Sequence, residues 1–127
     1  MVRAVNPGKA VGYMTKAENS LRMAKIAIDQ QAYDNAIMST IHSAINALDA
    51  LTTSYLNKRA SGSHTDVLGL IKSIFPPKEY NDIKKQFMSL IGKKNESEYQ
   101  PDLMNQKDAQ NAIKCAERIL TKVKAKL

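Results

Sequence analysis

Apolar residues return every third or fourth position along most of this chain, the spacing that gathers them on one stripe of a helix. Val11, Met14, Ala17, Leu21, Ala24 and Ile28 form the first stripe. Asn6 and Pro7 precede it, an amide that accepts an orphan helix N–H followed by a residue with no N–H to lose, so a first helix is predicted from there to about Asp29. After a short Gln30-Gln31-Ala32 connection, Ile37, Ile41, Ala44, Leu48, Leu51 and Tyr55 predict a second helix over about Tyr33 to Tyr55. So short a link makes the two helices antiparallel neighbours. On another face of the second helix, Asn35, Ser39, His42, Asn46, Asp49 and Thr53 repeat at the same spacings, giving a continuous stripe of small polar side chains.

The stretch from Asn57 to Ser63 reads as a loop by composition. Ser63 with Asp66 three residues on has the form of a capping box, and Val67, Leu68, Ile71, Ile74 and Phe75 predict a short third helix ended by Pro76-Pro77. A fourth helix restarts near Pro77, with Tyr80, Ile83, Phe87, Leu90 and Ile91 inward and Lys78, Lys84 and Lys85 in water. Gly92 ends or weakens it; the polar run Lys93 to Gln100 follows, and Pro101 opposes continuous helix beyond. Asn105 with Asp108 forms another cap, and Ala109, Ala112, Ile113, Ala116, Ile119, Leu120, Val123 and Leu127 predict a fifth helix to the C-terminus. The pattern is that of an all-α, up-and-down bundle of four long helices and one short one, a single domain over residues 1–127.

Composition agrees with the pattern. Hydrophobic residues make up 43% of the chain and aromatics 6%, with no Trp, and no run alternates Val, Thr and aromatics as a half-buried strand does. Cys115 is the lone cysteine and His42 and His64 the only histidines, so neither an internal disulfide nor a zinc site is expected, and no metal or cofactor is called for. Met1 to Val5 is too short and polar for a signal peptide, and no apolar run approaches the ~18 residues of a membrane span; a cytoplasmic protein without membrane association is expected. The net charge of +7 favours anionic partners such as nucleic acid, nucleotides or acidic proteins. Residues 1–63 contribute +3 and 64–127 contribute +4, so the excess is spread along the chain rather than held in a tail.

No phosphate loop, dinucleotide turn, His-Glu-x-x-His pair or nucleophile elbow is present, which removes most common enzyme classes. Cys115 lies beside the apolar face of the fifth helix with Arg118 three residues on, and reads as an inert helix cysteine. His42, Asn46 and Asp49 share the polar stripe; they either line a surface for a phosphate, base or proton transfer, or form a helix–helix or dimer contact. His64, at the start of the third helix, reads as a local capping residue. Lys107, Lys114, Arg118, Lys122 and Lys126 form a basic face on the fifth helix, open to two readings, phosphate contact or an ordinary solvated surface. Lys93, Lys94, Asn95, Glu98 and Tyr99 bring two cations, an amide, a carboxylate and a phenol together at the end of the fourth helix, open to two readings, a set suited to phosphate or RNA contact or simply a charged loop.

Three segments, in this order, resemble the HEPN family (higher eukaryotes and prokaryotes nucleotide-binding): the Ala-rich second helix with Ala36, His42-Ser43-Ala44 and Ala47-Leu48; Ser63-His64 leading into Val67-Leu68; and Lys94-Asn95-Glu96-Ser97-Glu98-Tyr99 before the last helix. The last segment is similar to the family's Arg-x-x-(small)-Asp-Tyr pattern. The resemblance spans nearly the whole chain and implies a four- or five-helix bundle, often a homodimer, with the second-helix polar face and the end of the fourth helix at a shared cleft. It also implies a nucleotide, RNA or a small nucleotidyltransferase as partner, in the manner of toxin–antitoxin pairs. A subset of the family are metal-independent ribonucleases that use an Arg and a His four to six residues later. Here Lys94 stands at the Arg position, and Tyr99 and Gln100 where the His is sought. Lys lacks the planar fork that grips two phosphate oxygens, and a phenol with a pKa near ~10 is a poor base at neutral pH, so binding is expected where cleavage is not. Two alternatives accompany that expectation: a toxin-like ribonuclease using Lys94 with His42 or Tyr99, and a basic helical RNA- or DNA-binding subunit using the fifth-helix face.

Overall fold

The computed structural model describes residues 2–99 and 101–127; Met1 of the N-terminal segment and Gln100 of the polar run lie outside them. The order is β1 (Val2–Ala4), a 3-10 turn (Pro7–Lys9), α1 (Ala10–Asp29), α2 (Tyr33–Leu56), β2 (Lys58–Ala60), α3 (Asp66–Ile71), α4 (Pro77–Tyr99) and α5 (Gln106–Lys126). The fold is an all-α bundle of four long helices and one short one, with a two-stranded antiparallel ribbon at one end.

α2 is the central element, packing on α1 and also on α4 and α5. Its seam of Ile37, Ile41, Ala44, Leu48 and Leu51 is at most 1% exposed. Against it lie Ile83, Phe87 and Leu90 of α4 and Ile119 and Val123 of α5, all fully buried. Each large apolar side chain so enclosed contributes about 1.5–3 kcal/mol relative to exposure. On its other side α2 meets α1 across small residues: Ala10, Ala17 and Ala24 of α1 and Ala36, Ser43 and Ala50 of α2 are all buried. Ser43 Oγ donates to the Ala17 carbonyl at 2.7 Å, fixing the register of the pair. Gln31, at φ 60, makes the left-handed turn between them, with the Ala32 N–H on the Ala27 carbonyl at 2.8 Å.

The caps follow the sequence at two of three places. Asn6 accepts from the Gly8 N–H at 2.9 Å and caps the 3-10 turn, and Asn105 with Asp108 forms a complete capping box on α5. The Ser63–Asp66 box does not form: Thr65 is the N-cap of α3 without a side-chain cap bond, and Ser63 Oγ lies 3.0 Å from Thr65 Oγ1 instead.

Other departures have plain causes. Val11 is 75% exposed, and Ala10 takes its place in the stripe, one turn before Met14 and seven residues before Ala17 on the inner face of α1. Tyr55 is half exposed, its hydroxyl donating to the Lys126 carbonyl at 2.5 Å and tying the ends of α2 and α5. Asn57 ends α2 in the left-handed conformation that Asn tolerates, turning the chain into β2, whose register sets Val2 opposite Ala60, Arg3 opposite Arg59 and Ala4 opposite Lys58. The Asn57–Ser63 loop therefore contains a strand. α3 stops at Ile71, leaving Ile74 and Phe75 beyond it, and α4 passes through Gly92 to Tyr99, so the described part of the polar run, Lys93 to Tyr99, is helix rather than loop. Leu127 caps α5 rather than continuing it and is half exposed.

Candidate functional site

The polar stripe of α2 divides midway. Asn35 and His42 are exposed and Ser39 and Asn46 half-buried, whereas Asp49 is 7% exposed and Thr53 fully buried. The difference lies in what packs over the C-terminal half of α2: β2, α3 and the 3-10 turn.

His42 lies in a shallow groove of about 230 Å³ between α1 and α2, lined also by Asn19, Ser20, Met23, Met38 and Ser39. Asn46 does not reach outward to the imidazole; its Nδ2 donates to the His42 carbonyl at 2.8 Å. Asp49 lines a different cavity, of about 210 Å³, with Arg59, Ser61, Ser63 and His64 over the apolar Ile45 and Val67. Burial pushes its carboxyl up to about 6, and the Arg59 guanidinium opposes that rise without cancelling it. His64 is thus part of the wall facing Asp49, and the Thr53 hydroxyl one turn along has no hydrogen-bond partner among the described residues.

The polar end of α4 meets the start of α2 rather than its middle. Asp34, in the first turn of α2, accepts from Ser97 Oγ at 2.5 Å and from the Met104 N–H at 3.2 Å. A cavity of about 370 Å³ opens beside this junction, walled by Tyr33, Asn35, Asp102 and Leu103 among others. Lys94 pairs with Glu98 one turn along at 2.9 Å, and Lys93 lies 3.6 Å from Asp108, which completes the capping box of α5. Asn95 is exposed and Tyr99 is 75% exposed. The predicted site residues therefore fall into three places: His42 with Asn46, Asp49 with Arg59 and His64, and Lys93 to Tyr99 with Asp34. Asp34 and Arg59 are not singled out by spacing; an acid in a helix's first turn signals only a favourable dipole contact, and an Arg in a polar loop signals nothing specific.

The basic face of α5 is partly committed within the fold. Arg118 and Lys122 approach the two oxygens of Asp82 on α4 at 3.2 and 3.7 Å, and Lys126 stands 5.6 Å over the Phe75 ring. Lys107 and Lys114 are exposed. Cys115 is half-buried against the core. Among the described residues no cluster of His, Cys, Asp or Glu is arranged to hold a metal, and no helix is long and apolar enough to cross a membrane.

An Ala-rich central helix with an outer polar stripe, and a fourth helix whose polar end docks on that helix's start, define a class of small all-α bundles. The model of the HEPN domain matches residues 10–126, and this chain belongs to the HEPN family. Solved structures that share its fold include the following two. The crystal structure of TT1696 from Thermus thermophilus is 21% identical, covers 94% of this chain and 98% of its own, and superposes with a TM-score of 0.78. That of ST0689, an archaeal HEPN homologue, is 22% identical over 91% of this chain and 95% of its own, with a TM-score of 0.74. No curated protein matches the chain.

Proposed function

We propose that this chain is a non-catalytic HEPN domain that pairs with a second copy of itself and binds a nucleotide, RNA or a nucleotidyltransferase partner. The carrying observation is the open half of the α2 stripe: His42 and Asn35 are exposed and Ser39 is half-buried, beside Met38 and the 53% exposed Met23. Small polar side chains flanked by methionines allow another helix to approach closely and repack against them. The same reading makes Lys94 to Gln100 a degenerate form of the Arg-x(4-6)-His motif. The Lys94 charge is offset by Glu98, and His42 lines a groove that contains no residue of α4, so a phosphate-stabilising cation and a general base do not converge within one chain.

Sedimentation velocity over a range of concentrations tests the pairing. The wild type is expected to sediment as a dimer and His42→Glu, at an exposed position, as a monomer; a wild type that stays monomeric removes the pairing. Incubation with RNA tests the absence of catalysis. Cleavage by the wild type that disappears in Lys94→Ala overturns it.

A further inference from the structure

The ribbon of β1 and β2 carries a charge arrangement that opposes its own pairing. Its register sets Arg3 directly opposite Arg59, and like charges at facing positions of an antiparallel pair repel. Around these two a cavity of about 350 Å³ is lined by Lys9 from the 3-10 turn, Tyr13 and Lys16 from α1, and Val5, with no carboxylate among the described residues of its wall. Separate elements thus deliver four cations and one aromatic ring to one place. Elsewhere some cations have acidic neighbours, Lys25 with Glu117, Lys124 with Glu18, and Arg118 and Lys122 sharing Asp82, while others, such as the exposed Lys107 and Lys114, have none among the described residues. Among the described residues Arg3, Lys9 and Lys16 have no such partner. Arg59 also lines the Asp49 cavity, so its guanidinium stands between the buried carboxylate and the cationic cavity.

We propose that this cavity binds the backbone of a single-stranded nucleic acid, its phosphates held by Arg3, Arg59, Lys9 and Lys16 and a base stacked on Tyr13. An anion between the facing arginines converts their repulsion into shared attraction, and a positive groove with an aromatic platform is the arrangement that single strands recognise. A strand fits better than a free nucleotide because the cations are strung out along the first helix, Lys9 at its start and Lys16 about two turns on. The Gly12 position between Lys9 and Lys16 is open space. The choice of a polymeric ligand rests on the binding role proposed above, whereas the phosphate contacts fall on residues that the pairing surface does not use.

Fluorescence anisotropy of a labelled single-stranded RNA with the full chain, at several salt concentrations, tests it. Arg3→Ala and Lys16→Ala, both at exposed positions, are each expected to weaken binding about tenfold and to flatten the dependence of log affinity on log salt by about one. Lys107→Glu/Lys114→Glu, an exposed control on α5, is expected to stay within about twofold of the wild type. Arg3→Ala is also expected to melt no lower than the wild type, because it relieves the repulsion with Arg59. The proposal is overturned if the wild type binds no RNA at low salt, or if the α5 control weakens binding as much as Arg3→Glu/Lys16→Glu does. It is equally overturned if that double variant binds normally and only aggregates, which would make the charges guards of an open strand edge. Pyrophosphate or ATP competing as well as unlabelled RNA at equal phosphate would remove the strand in favour of a free nucleotide. Because Arg3 and Lys16 lie outside the α2 stripe, their loss of binding is read separately from the monomer–dimer result at His42.

Discussion

Placing a carboxylate over Ile45 and Val67 disfavours its charged form, and the nearby Arg59 recovers only part of that loss. The Asp49 carboxyl stands at about 6 in the folded chain against an ordinary value of 3.8, so the folded state holds the proton more tightly than the unfolded one. Its contribution to stability is therefore fully present below the unfolded value and is lost as pH rises through the folded value. The whole loss is on the order of 3 kcal/mol. Asp49→Asn is expected to flatten the fall in stability between about pH 4 and about pH 6, and to raise stability at neutral pH by about 1–3 kcal/mol. Urea unfolding of both proteins across that range checks it; an offset between them that does not change with pH would place the titration elsewhere. The position of Asp49 on a polar stripe is legible from spacing alone, but its burial is not. What covers it is a three-residue strand and a six-residue helix, both too short to leave a periodic signature.

Between elements, the α1–α2 contact is the most regular feature of the fold. Ala10, Ala17 and Ala24 recur every seven residues, as do Ala36, Ser43 and Ala50, and the Ser43–Ala17 bond at the centre sets Ala10 against Ala50 and Ala24 against Ala36 in an antiparallel pair. Close approach follows from the absence of bulk at these positions. Ala17→Leu is expected to force the helices apart at a cost of about 1–3 kcal/mol, seen as a lowered urea midpoint at unchanged helical content, whereas a midpoint equal to the wild type's would mean the seam has room to spare. In the sequence this spacing is visible only as part of a general apolar stripe, because alanine is both a helix former and a core residue. The continuation of α4 is hidden for a different reason. Gly92 costs a helix about 1 kcal/mol, and what offsets it is distant in sequence: Asp34 holding Ser97, and Lys93 reaching the cap of α5. The ribbon is equally hidden, since Val2 to Ala4 and Lys58 to Ala60 are each too short and too charged to read as strands.

For the molecule as a whole, the bundle class and the family are legible because the helical periods and the order of loose motifs each extend over most of the chain. Where the functional residues gather is less legible, since that depends on which faces neighbouring elements happen to cover. The seam of small residues also bears on the order of events during folding. It joins two helices that are adjacent along the chain by a turn of three residues, Gln30 to Ala32, while the contacts that close the bundle, such as Tyr55 with Lys126, join residues 71 positions apart. Loop closure between near neighbours is the lesser entropic obstacle, so the α1–α2 hairpin is expected to be largely formed at the rate-limiting barrier and α5 to dock after it. Stopped-flow measurements are then expected to show Ser43→Ala, which removes about 1 kcal/mol of hydrogen bonding, slowing folding with little change in unfolding. Ile119→Val should chiefly speed unfolding. The reverse pattern would put the nucleus at the α4–α5 end. On this view the alanines of the seam set the speed with which the chain finds its fold, and the large side chains of α4 and α5 set how long it stays there.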